Sequence, residues 1–178
     1  MKVARSGIIS LLALLTAAAL SGCATGAKPE AMVADKVAIA HSSSSDVTVV
    51  VSGGKETSKL GASQVSSDAF AQALRDSIGK SGLFKSVAES GGRYKLAAFI
   101  GKVDQPMIGF SLTVKMEVSY TLVDTTSGKT VWSKNIASEH TAKTSDAFAA
   151  VERLRLANQG AAKANIEQAI TEMSQVEL

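Results

Sequence analysis

The sequence predicts an α+β fold: a single mixed, mostly antiparallel four-stranded sheet with two helices packed on one face, in the order β-α-β-β-β-α. Three observations predict it. A long stretch alternates apolar and polar residues, turn-forming residues separate it from a second β-forming stretch, and two segments carry apolar residues at helical spacing. A sheet with one apolar face must bury that face under other elements, so we expect the helices to cover it.

The alternating stretch predicts a half-buried strand whose apolar residues share one face: Leu112, Val114, Met116, Val118, Tyr120 and Leu122. Residues 124–128 then collect turn-forming side chains, and Gly128 can take the positive φ that a hairpin connection often needs. β-forming residues resume at Val131 and Trp132. We therefore expect one long antiparallel hairpin over residues 111–141.

The preceding segment predicts a strand, a helix and another strand. Residues 46–52 hold four valines and are too apolar for an open face, as expected of a strand buried in the sheet. Residues 66–68 supply N-cap chemistry for a helix that Gly79 and Gly82 end. Residues 94–103 form the next strand. A unit of this length is a right-handed crossover, so its two strands should be parallel if they are neighbours.

A final helix is predicted from a cap at Ser145 and Asp146 to about residue 174. Its apolar residues share one face: Phe148, Val151, Ala162, Ile166, Ala169, Ile170 and Met173. Polar residues interrupt that face: Glu152, Arg155, Asn158 and Gln159. Either the helix kinks near Gly160, which we favour because glycine is a poor helix-interior residue, or these polar residues have partners against the sheet and form a notch for a binding partner.

The N-terminus has the pattern of a signal peptide. Lys2 and Arg5 form a positive region, residues 8–20 an apolar run that is short for a membrane span, and small residues then lead to a cysteine. This pattern resembles the bacterial lipobox. The resemblance implies cleavage between Gly22 and Cys23, with a diacylglycerol and an acyl chain on Cys23; an ordinary secretory leader with a chance cysteine is the alternative.

The expected cleavage would remove residues 1–22 and leave 156 of the 178 residues, enough for one domain. We expect lipidated Cys23 and a flexible tether over residues 23–45, and a single periplasmic α+β domain over residues 46–178. The remainder would hold 17 basic and 16 acidic residues, so a nucleic-acid partner is not expected. Because the only cysteine would be lipidated, we expect no disulfide, thiol nucleophile or thiolate metal site.

The sequence offers no constellation for catalysis or metal binding. Its histidines are His41 and His140, and no Gly-x-Ser-x-Gly elbow accompanies its many serines. We expect His140 to be a solvated residue at a strand end. Glu139 and His140 are adjacent on a strand and point to opposite faces, which argues against a shared metal. No phosphate loop or dinucleotide fingerprint is present, so no cofactor is expected.

Apolar residues in a predicted loop are the main candidates for partner binding. Met107, Ile108 and Phe110 either tuck under the edge of the sheet or form a contact patch for a partner or the membrane. Trp132 is expected in the core, with an exposed interface anchor as the alternative. Arg155, in the polar notch of the last helix, is a further candidate.

Five stretches carry a resemblance beyond the signal peptide: residues 94–96, 106–110, 119–124, 131–132 and 153–158. Through them the chain looks like a poorly characterised group of proteobacterial envelope lipoproteins. Its architecture is also similar to the TolB amino-terminal region, the curli-secretion lipoprotein and the lipoprotein activator of penicillin-binding proteins. The resemblance implies a domain that binds proteins or peptidoglycan-linked machinery.

We therefore expect a non-enzymatic outer-membrane lipoprotein that faces the periplasm and acts as a protein-binding or assembly module. Its partners would be the membrane, through Cys23, and an unknown envelope protein. The outer-membrane expectation depends on Ala24, since a residue other than Asp after the cysteine resembles the enterobacterial signal for that membrane. The alternative is an envelope hydrolase or acyltransferase, which would need a deep polar pocket containing His140 and a serine.

Overall fold

A computed structural model describes residues 24–58, 61–106 and 108–178. Within these residues the chain forms an α+β domain with one open sheet, which confirms the predicted fold class. Its elements are α1 (Pro29–Met32), β1 (Asp46–Ser52), α2 (Ser67–Ser81), β2 (Ser86–Ala88), β3 (Tyr94–Asp104), β4 (Leu112–Asp124), β5 (Thr130–Ala142) and α3 (Ala150–Met173).

The sheet has five strands in the order β2-β1-β3-β4-β5. Strand β1 pairs in parallel with β2 and β3, whereas the β3–β4 and β4–β5 pairs are antiparallel. The expected parallel neighbours are confirmed. The expectation of four strands in a mostly antiparallel sheet is wrong, because β2 is a fifth strand and pairs in parallel. Strand β2 has only three residues, too few to show an alternating pattern in the sequence. Its pairing with β1 identifies it, with Asp46 opposite Ser86 and a 2.8 Å hydrogen bond between their side chains.

The long hairpin forms as predicted. All six apolar residues of the alternating stretch in β4 are buried, and the residues between them face outward. In register, Val118 lies opposite Ile136 and Leu122 lies opposite Trp132. Gly128 in the connecting turn has a φ of 69°, a value that glycine adopts at little cost. The hairpin therefore supplies most of the apolar face that α3 covers.

The helices cover only one face of the sheet, so β1 is not buried on both sides as expected. Val47 and Val49 lie in the core, whereas Val50 is exposed on the other face. Val50, Ala97 and Phe99 line a shallow groove of about 410 Å³ on that open face. Four valines in seven residues therefore indicated a strand, but not one that is buried on both faces.

The segment before β1 corrects a second expectation. Met32, in the single turn of α1, is fully buried, and α1 contacts both longer helices. The backbone N–H of Ala34 donates a 2.9 Å hydrogen bond to Ser77 Oγ in α2. Residues 27–34 thus belong to the folded domain, and the expectation of a flexible tether over residues 23–45 is wrong there.

The two longer helices begin differently. Helix α2 has the predicted cap, with Ser66 Oγ accepting from the backbone N–H of Ala69, and it ends at Gly82, so Gly79 lies inside it. Helix α3 begins at Ala150 without a side-chain cap. Asp146, the predicted cap, instead accepts a 2.7 Å hydrogen bond from the backbone N–H of Lys143 in a turn. The predicted start of the last helix is therefore wrong.

Candidate functional site

A cluster of buried amides lies where α3 crosses the end of the sheet. Asn158 is fully buried, its Oδ1 accepts from Gln105 Nε2 at 2.8 Å, and its Nδ2 donates to the backbone oxygen of Ser63 at 2.9 Å. Gln105 Nε2 also donates to that oxygen at 2.8 Å. Asn158 on α3 thus has partners, which is the alternative that we did not favour, whereas Nε2 of buried Gln159 has none within the described residues.

Gly160 has a packing role in this arrangement. A Cβ atom placed on it would lie 2.2 Å from Cγ of His140, closer than any side chain tolerates. The imidazole therefore packs directly on the helix backbone. His140 stays exposed, as expected of a strand-end histidine. Within the described residues, neither it nor His41 is hydrogen-bonded to a serine hydroxyl, and no group of three metal-ligand side chains comes together.

A second buried amide fixes the middle of the same helix to the hairpin. Tyr120 Oη donates to Asn165 Oδ1 at 2.8 Å, and Asn165 Nδ2 donates to the backbone oxygen of Ile136 at 2.9 Å. Burial raises the pKa of Tyr120, so its hydroxyl remains a donor. The ring of Trp132 packs 6.2 Å from that of Tyr120, and Trp132 is buried. Trp132 is thus the core residue of the first alternative, and not an exposed anchor.

Four large apolar side chains are exposed where β3 and β4 connect and where the chain enters α3. The exposed fractions are 92% for Ile108, 86% for Phe110, 97% for Phe148 and 44% for Val151. We call these four residues the apolar rim. Ile108 and Val151 border a cleft of about 220 Å³. Among the described residues its wall contains no charged side chain: Gly61, Ala62, Pro106, Ile108, Gly109, Leu112, Ala150, Val151 and Leu154.

Arg153 connects the two parts of the rim. Its guanidinium donates to the backbone oxygens of Phe148 at 2.6 Å, Ala147 at 3.0 Å and Gly109 at 3.2 Å. Arg153 is buried, and it has no ion pair within the described part of the chain. A guanidinium with backbone carbonyls as partners is a positioning group, and here it holds the 108–110 loop against the entry to α3.

The residues predicted to bind a partner have different surroundings in the structure. Ile108 and Phe110 are exposed, which matches the contact-patch alternative and not the tucked one. Arg155 is bound to a neighbour on its own helix, with Nε 3.0 Å from Glu152 Oε2. Met107, Gly22 and Cys23 lie outside the described residues.

Three residues of this region could not be placed from the sequence. Phe148 and Val151 were assigned to the buried face of the last helix, but Phe148 precedes the true start of α3, and both are exposed. Arg153 was not among the predicted binding residues, because its hydrogen-bond partners are backbone oxygens, which leave no signal in the sequence. The late start of α3 at Ala150 accounts for Phe148, which lies outside the helix.

None of the helices in residues 24–58, 61–106 and 108–178 is long and apolar enough to cross a membrane. No protein-family model and no curated protein matches the sequence.

Solved structures of bacterial proteins share the fold. A Xanthomonas campestris protein of the family model DUF330 superposes with a TM-score of 0.60 at 15% identity, covering 80% of this chain and 91% of that chain. A "putative lipoprotein" of Caulobacter crescentus CB15 gives 0.52 at 14% identity, covering 72% and 88%. A hypothetical protein of Chlamydia trachomatis gives 0.55 at 6% identity, covering 77% and 98%. At these identities the likeness establishes the fold that the chain shares with them.

Proposed function

We propose that the chain is a non-enzymatic accessory lipoprotein of the cell envelope. It is anchored by lipid on Cys23 and docks through the apolar rim on another envelope component, a partner protein or the lipid surface itself. The observation that carries the proposal is the exposure of Ile108, Phe110 and Phe148 together on one end of the domain. Clustered apolar side chains of this size on a soluble domain are typical of an interaction surface.

The rim differs from chance exposure because the structure maintains it. Arg153 ties the two rim segments together through Nη1 and Nη2, which donate to three backbone carbonyls, while its buried Nε has no partner within the described residues. A buried guanidinium is costly, and these three hydrogen bonds offset part of that cost. The adjoining amide cluster then fixes residues 63, 105 and 158. A rigid base under exposed apolar tips is what a docking surface requires, since little side-chain entropy is then lost on binding.

The location belongs to the same proposal. The signal-peptide pattern and the fold shared with a "putative lipoprotein" of Caulobacter crescentus support anchoring by Cys23, and Ala24 supports the outer membrane with the domain facing the periplasm. The alternative of an envelope hydrolase or acyltransferase is less well supported, because its required base, His140, packs on Gly160 and is not bonded to a serine.

The anchor is tested by Cys23→Ala in the full-length gene. We expect the variant to be soluble or unprocessed, because two or more acyl chains are needed for stable anchoring. Membrane fractionation measures this, and density-gradient separation of inner and outer membranes tests the sorting. Mature protein that still sediments with membranes after the substitution would contradict the anchor.

Docking is tested with a photo-crosslinking amino acid at position 110 in living cells. We expect adducts to a protein or to lipid, and we expect Ile108→Ser with Phe148→Ser to remove them while the melting temperature stays unchanged. Position 99 is the matched control, since Phe99 is also an exposed phenylalanine but lies on the open face of the sheet. Equal adducts at positions 110 and 99, or none at position 110, would overturn docking through the rim.

A further inference from the structure

We infer that the occupant of the apolar rim is the lipid surface in which Cys23 is anchored, so that the rim is a second, non-covalent membrane contact. The inference rests on the proposed function, because it needs both the anchor and the exposed rim. It assigns to the domain a fixed orientation on the bilayer.

The first argument is the short reach between the anchor and the folded domain. Ala27 is buried, and its backbone N–H donates a 2.9 Å hydrogen bond to the backbone oxygen of Gln64. Cys23 precedes Ala27 by four positions in the sequence. Four residues span at most about 14 Å even when fully extended, at roughly 3.6 Å each. Lipid chains on Cys23 would therefore hold the bilayer close to Gln64.

The second argument is that the Gln64 loop borders the rim. Gly61 and Ala62, just before Gln64, line the same cleft as Ile108 and Val151. The Gln64 side chain donates to Gln105 Oε1 at 3.2 Å, at the start of the loop that carries Ile108. The point where the chain enters the domain and the rim are thus on one end of the molecule.

The third argument is the chemistry of the rim. In the described part of the chain the cleft wall contains no charged residue, and the most exposed positions of the rim are two phenylalanines and an isoleucine. Apolar and aromatic side chains on a rigid base partition into the boundary between headgroups and acyl chains, where their burial is favourable at about 25 cal/mol per Å². A protein partner would have to fit between the domain and a bilayer that the short anchor holds beside it.

The test uses the mature, lipidated protein, purified from membranes and reconstituted into vesicles of phosphatidylethanolamine and phosphatidylglycerol. A tryptophan is introduced by Phe148→Trp in one variant and by Phe99→Trp in another, and both are compared with the wild type, whose Trp132 is buried. Phospholipids brominated in the acyl chain quench a tryptophan only where it enters the hydrocarbon. We expect the tryptophan at position 148 to be quenched several-fold more strongly than the one at position 99.

The outcomes separate the inference from the proposed function. No quenching at position 148, or equal quenching at positions 148 and 99, would overturn the lipid contact. If in-cell crosslinks at position 110 then go to a protein, the proposed docking stands and its occupant is that protein. If those crosslinks are also absent, docking through the rim fails as well, and the anchor is judged by Cys23→Ala alone.

Discussion

The interior under α3 and the apolar rim show opposite distributions of polarity. Under the helix, Asn158 and Asn165 are fully buried, yet each is hydrogen-bonded through both ends of its amide. On the rim, Phe110 and Phe148 are exposed to solvent, although Leu112, two positions after Phe110, is buried. These two asparagines have their partners within the chain, so they are explained by stability. The two phenylalanines are 86% and 97% exposed, and the proposed docking would give them a partner outside the chain.

The largest effect on stability is expected when a charged side chain is placed in the core without a hydrogen-bond or ion-pair partner. Val118→Asp would bury a carboxylate that no cation faces, which costs about 3–5 kcal/mol, a large part of the stability of a small domain. We expect the variant to be unfolded by circular dichroism. Ser119→Asp, on the exposed face, is the control and should fold normally. Equal damage at both positions would contradict the strand register.

A smaller loss is expected when a buried amide is removed. Asn165→Ala leaves the hydroxyl of Tyr120 and the carbonyl of Ile136 without their partner, and we expect a loss of about 2–3 kcal/mol in the free energy of unfolding. Urea denaturation measures it. Asn135→Ala, on the exposed face of β5, should change little. An unaffected Asn165 variant would mean that water replaces the amide and that the cluster is not structural.

Substitution of Gly160 is expected to have a smaller effect on stability, and the sign of that effect depends on the side chain at position 140. In the wild type, Gly160→Ala should destabilise by about 1–2 kcal/mol, because the added methyl group overlaps the His140 ring. In a His140→Ala background, the same substitution should stabilise by about 1 kcal/mol, because alanine is the better helix former. A double-mutant cycle in urea measures both. Identical effects in the two backgrounds would show that the glycine serves some other purpose.

The smallest expected effect is on the rim itself. Phe148→Ser should change the free energy of unfolding by less than about 0.5 kcal/mol, because the ring makes no buried contact to lose. The matched change in the core, Phe70→Ser, should be severely destabilising, since Phe70 is fully buried. A marked loss of stability from Phe148→Ser would place that ring in the interior and remove the contrast on which the docking proposal depends.

The elements that could be predicted from the sequence are those in which apolar residues recur at a regular spacing. In β4, apolar residues from Leu112 to Leu122 alternate without a break, so the buried face follows from the pattern alone. Strand β2 and the single turn around Met32 are too short to show a period, and only their contacts reveal them. Ile108 and Phe110 were identifiable because apolar residues in a loop are unusual.

The position of Phe148 depended on where α3 begins. Asp146 has the chemistry of a helix cap but bonds to Lys143 within a turn, and this local hydrogen bond competes with capping. Once the start moves to Ala150, Phe148 leaves the buried stripe and joins the exposed residues. The sequence could not favour Arg153 over Arg155 as a residue of the site. The hydrogen-bond partners of Arg153 are backbone oxygens, which any sequence provides.

The mixed sheet has a consequence for the order of folding. Both neighbours of β1 come later in the chain, since Asp46 pairs with Ser86 and Val47 with Tyr94, whereas β4 and β5 are joined by one short turn. Closing the hairpin costs little loop entropy, so we expect it to form early, while the parallel pairs form late. During synthesis, β1 therefore has both edges unpaired until β2 and β3 have been made. Any factor that binds the nascent chain encounters this valine-rich strand in its unpaired state.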